Sequence, residues 1–170
     1  MKNSQNKHIS SFNNPEYKFL MSLRKNRNRK SEMKSIAEGY RENTQLIDSK
    51  YEIDTLYTCN NFFMGENNEE LVNRFINKDI RIVEVSEKIF KEISYRDRPD
   101  GIISLFNTSY KTNPNKVNGP ILIPDQIEKP GNLGTMIRTS KSFGINNIFL
   151  SDEVTDIFNP CLLYTSDAAD

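Results

Sequence analysis

At 170 residues the chain can bury a real core as one ordinary domain or two small ones, and its balance of 23 basic against 23 acidic side chains excludes a polycation that holds nucleic acid over its whole surface. No apolar run approaches the roughly 18 residues of a membrane span, and the start MKNSQNKHIS has no signal-peptide core, so neither a membrane nor a secretory role is expected. Cys59 and Cys161 have no metal-ligand spacing, which fits a reducing cytoplasm and no metal, and the single histidine, His8, lies in a polar stretch expected to be mobile, which argues against triad chemistry.

Asn14-Pro15 reads as a helix start, with Phe19, Leu20 and Leu23 turned inward and the helix running toward Lys25. The basic run Arg24 to Lys30 follows. Ser35 to Glu38 is a short strand stopped by Gly39, Tyr40 to Ser49 a helix, and Ile53 to Cys59 a half-buried strand by its alternation. Leu71, Val72, Phe75 and Ile76 give Asn68 to Asn77 a helical spacing. The β-branched run Ile80 to Val85 is a strand, Ser86 caps a helix through Ile93, and the turn Arg98 to Gly101 leads into the apolar run Ile102 to Phe106. Helices alternating with strands predict an α/β layer structure.

The segment NTSYKTNPNKVNGP from Asn107 to Pro120 is poor in apolar residues and carries two prolines. It marks a linker over 109–119, between a first domain at 10–108 and a second at 120–160. Beyond it, Ile121 to Ile127 is a strand, Pro130 to Gly134 a turn, Thr135 to Phe143 a helix ended by Gly144, and Asn147 to Leu150 another strand. This is a parallel crossover unit.

In such a unit ligands gather where strands feed helices, and the segment Gln126 to Gly134 sits there. Gly131 and Gly134 would let the backbone approach a substrate, Asn132 can bond the loop or cap the helix, and Glu128 stands nearby. Arg138, one turn after Gly134, can reach back toward a phosphate. On residue types alone an ordinary surface loop with an exposed arginine fits as well, and no G-x-G-x-x-G fingerprint supports a dinucleotide site. The basic run Arg24, Lys25, Arg27, Arg29 and Lys30 is equally open, between a solvated loop and a phosphate-binding one.

The run from Asp125 to Thr139, then Ser142-Phe143-Gly144, Phe149-Leu150-Ser151 and Asp156 to Pro160, resembles the first signatures of the SpoU (TrmH-like) family of RNA ribose 2′-O-methyltransferases in the SPOUT superfamily. Upstream, Ser35 to Gly39 and Tyr95 to Gly101 resemble that family's N-terminal RNA-binding substrate domain, a ribosomal-protein-like α/β fold. The resemblance implies S-adenosylmethionine-dependent methylation of a ribose 2′-hydroxyl in rRNA or tRNA, a trefoil-knotted second domain and a homodimer. It gives Asn132 and Arg138 the catalytic positions, with Gly131, Gly134 and Glu128 shaping the loop, and it tips the basic run toward RNA phosphates. Because arginine does not give up its proton in a protein, Arg138 is expected to hold a phosphate and stabilise charge.

Two later family signatures, which build the cofactor pocket and tie the knot, do not occur here. The second domain is therefore expected to be the first part of the SPOUT fold, without the knot and without useful cofactor binding. The last ten residues, CLLYTSDAAD at 161–170, resemble a translated transposon adapter from DNA library preparation and are set aside from fold reasoning. Besides the enzyme, a non-catalytic RNA-binding module and a small-molecule nucleotide-binding protein are the alternatives.

Overall fold

In a computed structural model the described residues are 7–109, 117–151, 154–160 and 162. The chain divides into two units, Met1–Ser109 and Tyr110–Asp170. Residues 110–116 of the expected linker, and 161 and 163–170 of the expected tail, lie outside the described residues.

The first unit is built around a five-stranded sheet. Its strands are β1 (Lys7–Ile9), β2 (Lys34–Glu38), β3 (Ile53–Thr58), β4 (Arg81–Val85) and β5 (Ile102–Asn107), in the order β1-β4-β3-β5-β2. β4 runs parallel to β1 and β3, while β5 is antiparallel to β3 and β2. Alternation along the strands feeds two cores, one on each face. Tyr57, Val83, Val85, Ile103 and Leu105 pack with Leu20 of α1 (Pro15–Ser22), with Leu23 at its end, and with Ile89, Phe90 and Ile93 of α5 (Glu87–Ile93). On the opposite face Leu56 and Ile102 pack with Ile47 of α3 (Tyr40–Ile47) and with Leu71 and Phe75 of α4 (Glu66–Asn77). Helices on both faces bear out the expected mixed α/β class.

Three local readings change. His8 sits in β1 rather than in a mobile stretch, because the neighbouring Ile9 is buried and three residues suffice to pair with β4. Residues Asn26–Glu32, within the basic run, form a helix, α2, which ends at the left-handed Met33 (φ 50°). Ser86 holds the cap position of α5 but makes no side-chain bond there; Asn14 does cap α1, accepting from the Glu16 amide at 2.8 Å.

The second unit holds β6 (Ile121–Leu122), α6 (Pro130–Ser142) and β7 (Asn147–Ile148), with β6 and β7 parallel. The expected strand from Ile121 to Ile127 is regular over two residues, since Pro124 has no amide hydrogen and Gln126 turns left-handed (φ 50°). Pairing continues irregularly: Phe149 N donates to Leu122 O, Ser151 N to Pro124 O and Gln126 N to Ser151 O. α6 starts at Pro130, so the expected turn 130–134 is the first turn of the helix.

Candidate functional site

The segment that carries the family signature lies on α6. Proline suits the first helical position, where its missing amide has no partner to lose. Leu133 anchors the first turn, being 1% exposed, a burial that stabilises by about 1.5–3 kcal/mol. Gly131 and Gly134 do not shape a loop through left-handed backbone, because neither has a positive φ. Gly134 is instead buried beside Leu133 in the first turns of the helix. The preceding loop is tied down by the buried Thr155, whose hydroxyl lies 2.6 Å from Ile127 O and 2.8 Å from Glu128 O. The Glu128 side chain is exposed.

Arg138 is exposed and its guanidinium points back along the helix, donating to Thr135 Oγ1 at 3.3 Å, while the Thr135 hydroxyl donates to Gly131 O at 2.9 Å. Side chains on a helix lean toward its N-terminus, which is why partners at i, i+4 and i+7 meet here. Asn132 is also exposed but lies about 1.7 turns from Arg138, on another side of the helix. The fold therefore groups Gly131, Thr135 and Arg138 on one side and leaves Asn132 beside them. Thr135 was missed as a neighbour of Arg138, although their spacing of three carried the signal.

The basic run divides by geometry. Arg29 is 4% exposed, and its Nη1 donates to Leu23 O at 2.7 Å and to Arg24 O at 3.0 Å. Its fork is engaged by carbonyls at the end of α1 rather than presented to solvent. Arg24 Nη2 donates to Glu92 O and Ser94 O at 2.7 and 2.8 Å, closing the end of α5, and its guanidinium lies 4.8 Å from the Tyr95 ring centroid. Lys25, Arg27 and Lys30 are exposed.

The two upstream motifs meet at the start of α3. Glu38 accepts from the Ser94 hydroxyl and, at 2.7 Å, from the Tyr95 amide. Asp100 accepts from the Tyr40 amide at 2.6 Å, capping α3 from sixty residues away. Arg96 pairs with Glu42 at 2.8 Å and reaches Asp100 at 3.7 Å. Gly39 (φ 103°) lies under that guanidinium, where a Cβ would overlap Arg96 Nη1. Burial pushes the carboxyls of Glu38 and Glu42 above their ordinary range, against the opposing pull of Arg96. This lock is an internal brace, and sequence spacing alone could not show that its two halves touch.

In the second unit, Pro124, Ile127, Leu133, Leu150, Ser151 and Thr155 line a shallow, half-open depression with an interior of about 10 Å³, no more than the room one water needs. Among the described residues no group of three or more His, Cys, Asp or Glu side chains is placed to hold a metal. None of the described helices is long and apolar enough to cross a membrane.

A family model described as the MRM3-like substrate binding domain matches residues 14–104, more than half of the chain. The chain belongs to this family. As a member, it is similar to an uncharacterized tRNA/rRNA methyltransferase of Synechocystis, 26% identical over 161 residues, covering 93% of this chain and 57% of that protein. A 23S rRNA (guanosine-2′-O)-methyltransferase of Bacillus subtilis is 46% identical over 39 residues, 23% of this chain and 16% of that one. The AdoMet-bound crystal structure of an rRNA methyltransferase from Sinorhizobium meliloti superposes with a TM-score of 0.77 at 26% identity, covering 95% of this chain and 60% of that one. The expected kinship with SpoU/TrmH-type RNA methyltransferases, which use S-adenosylmethionine, is borne out. The chain spans about three fifths of the length of the Synechocystis and Sinorhizobium proteins.

Proposed function

We propose that this chain forms the RNA-binding unit and the nucleotide-facing segment of an S-adenosylmethionine-dependent RNA ribose 2′-O-methyltransferase acting on rRNA or tRNA. The observation that carries the reading is continuity: one methyltransferase relative aligns along 93% of the chain, through the substrate-binding unit and into the second unit. In this reading Arg138 holds the phosphate beside the target ribose with a permanently charged fork, and Asn132 and Gly134 keep the first turn of α6 in place around it. Lys25, Arg27 and Lys30 supply phosphate contacts in the first unit. The same reading makes the active protein a cytoplasmic homodimer; a monomeric mass by sedimentation would remove that part.

The test uses protein expressed from the complete gene, rRNA and S-adenosylmethionine carrying a tritiated methyl group. Methylation of the 2′-hydroxyl makes the next phosphodiester resistant to alkali, because the neighbouring oxygen can no longer attack phosphorus. Tritium in alkali-resistant dinucleotides is expected, with kcat/KM lowered about a hundredfold by Arg138→Ala. Tritium in alkali-labile nucleotides alone would overturn the ribose assignment, and no transfer would overturn the enzyme.

A further inference from the structure

The two helical layers of the first unit differ in charge. Helices α1, α2 and α5 carry six lysines and arginines, of which Arg29 is buried, against four glutamates, whereas α3 and α4 carry two arginines against four glutamates. The first layer also carries three cations set over aromatic rings. Lys88 Nζ lies 5.0 Å from the centre of Phe12, Lys91 Nζ 5.5 Å from the centre of Phe62, and Arg24 lies over Tyr95. Lys88 and Lys91 are both exposed on α5, three residues apart, and are not in ion pairs among the described residues. The ring beneath each one narrows the positions its ammonium can take without neutralising its charge.

Resting on the reading of the chain as an RNA enzyme, we infer that the α1–α2–α5 face is the surface that grips RNA, with Lys88 and Lys91 as phosphate contacts pre-positioned by Phe12 and Phe62. The exposed Lys25 and Arg27 follow Arg24 in the chain, and Arg24 reaches the end of α5. Arg24 is engaged with carbonyls and serves as a brace between the two groups. The rings already hold cations on their faces, so they do not serve as stacking platforms for bases. Grip of this kind is backbone-directed: steep in salt and nearly indifferent to sequence. Glu87 and Glu92 interrupt the patch; Glu87 accepts from Asn61 Nδ2 at 2.6 Å.

Fluorescence anisotropy of the whole chain with labelled poly(U), and with a labelled 23S rRNA transcript, tests this. The double variant Lys88→Ala/Lys91→Ala is expected to weaken both probes about tenfold, and to flatten the plot of log K against log salt by about 1.5, since each lost contact removes a slope near 0.7–0.9. Lys88→Arg/Lys91→Arg keeps charge and ring contact and should restore binding. Arg41→Ala/Arg74→Ala, on the α3–α4 layer, should leave it within twofold. Should the wild-type chain bind while the α5 variant binds equally well, or the α3–α4 variant fail equally, the face is wrong and the RNA reading stands. Absence of wild-type binding at low salt would overturn both.

Discussion

Arg29 reaches across to Leu23 O and Arg24 O, carbonyls left without helical partners where α1 ends at Ser22. Its burial makes these charge-assisted bonds costly to remove, because the two carbonyls would lose the guanidinium as a donor. Arg29→Ala should therefore lower stability by about 3 kcal/mol, read as a shift in the urea midpoint. RNA affinity per folded molecule should stay within about twofold of wild type, whereas Lys25→Ala/Arg27→Ala should do the reverse. An Arg29 variant that folds normally but loses RNA would mean the side chain faces the ligand after all. The buried glutamates give a second residue-scale test. For Glu38 and Glu42 the folded-state carboxyl is raised above the ordinary 4.5 by burial. A raised acid binds its proton more tightly in the folded state, so its contribution is fully present below that ordinary value and is lost as pH rises through the folded value. Glu42→Gln should accordingly flatten the fall in stability that sets in above about pH 4.5; a variant whose stability tracks wild type in parallel as pH rises from there would refute the assignment.

At the scale of elements, Asn14 shows how directly a residue can set a boundary: its side chain caps α1, and Asn14→Ala should cost about 1 kcal/mol of stability, measured by thermal melting. This boundary, like β3, β4 and α4, was legible because a cap or an apolar period repeats within a few residues. α2 was not legible. Its sequence NRNRKSE has no apolar side, and what holds it is Arg29 folded back beneath α1, a tertiary bond that no local pattern announces. β1 escaped for a similar reason, since a lone Ile9 among polar residues becomes a strand only when β4 offers it an edge. In α6 the two glycines read as turn formers, yet Leu133 and Gly134 are both buried, and the helix begins five residues earlier than its composition suggests. The candidate site followed the same rule. The segment that bears Arg138 was readable from its residues, but the line Gly131–Thr135–Arg138 required the helix start, which sets which side chains share a face.

The whole molecule combines a unit with a complete interior and a unit with much apolar surface. Residues 7–109 supply both packed faces of the five-stranded sheet, and each core cluster closes on helices from the same unit. In the second unit Ile123 is 61% and Phe143 77% exposed, and Ile121, Met136, Phe149, Val154 and Ile157 are also open to solvent. These seven exposed apolar side chains among the described residues of the second unit favour association. A fragment of residues 1–109 should therefore unfold in urea as one cooperative transition and scatter light as a monomer over a wide concentration range. The whole chain should instead bind an apolar dye such as ANS and gain apparent mass with concentration. Ile123→Ser/Phe143→Ser should reduce both signals without moving the urea transition of the first unit, because neither residue contributes to its two cores. If the fragment alone associated as strongly as the whole chain, the apolar surface responsible would have to lie in the first unit, and the division of labour drawn from these exposures would fail.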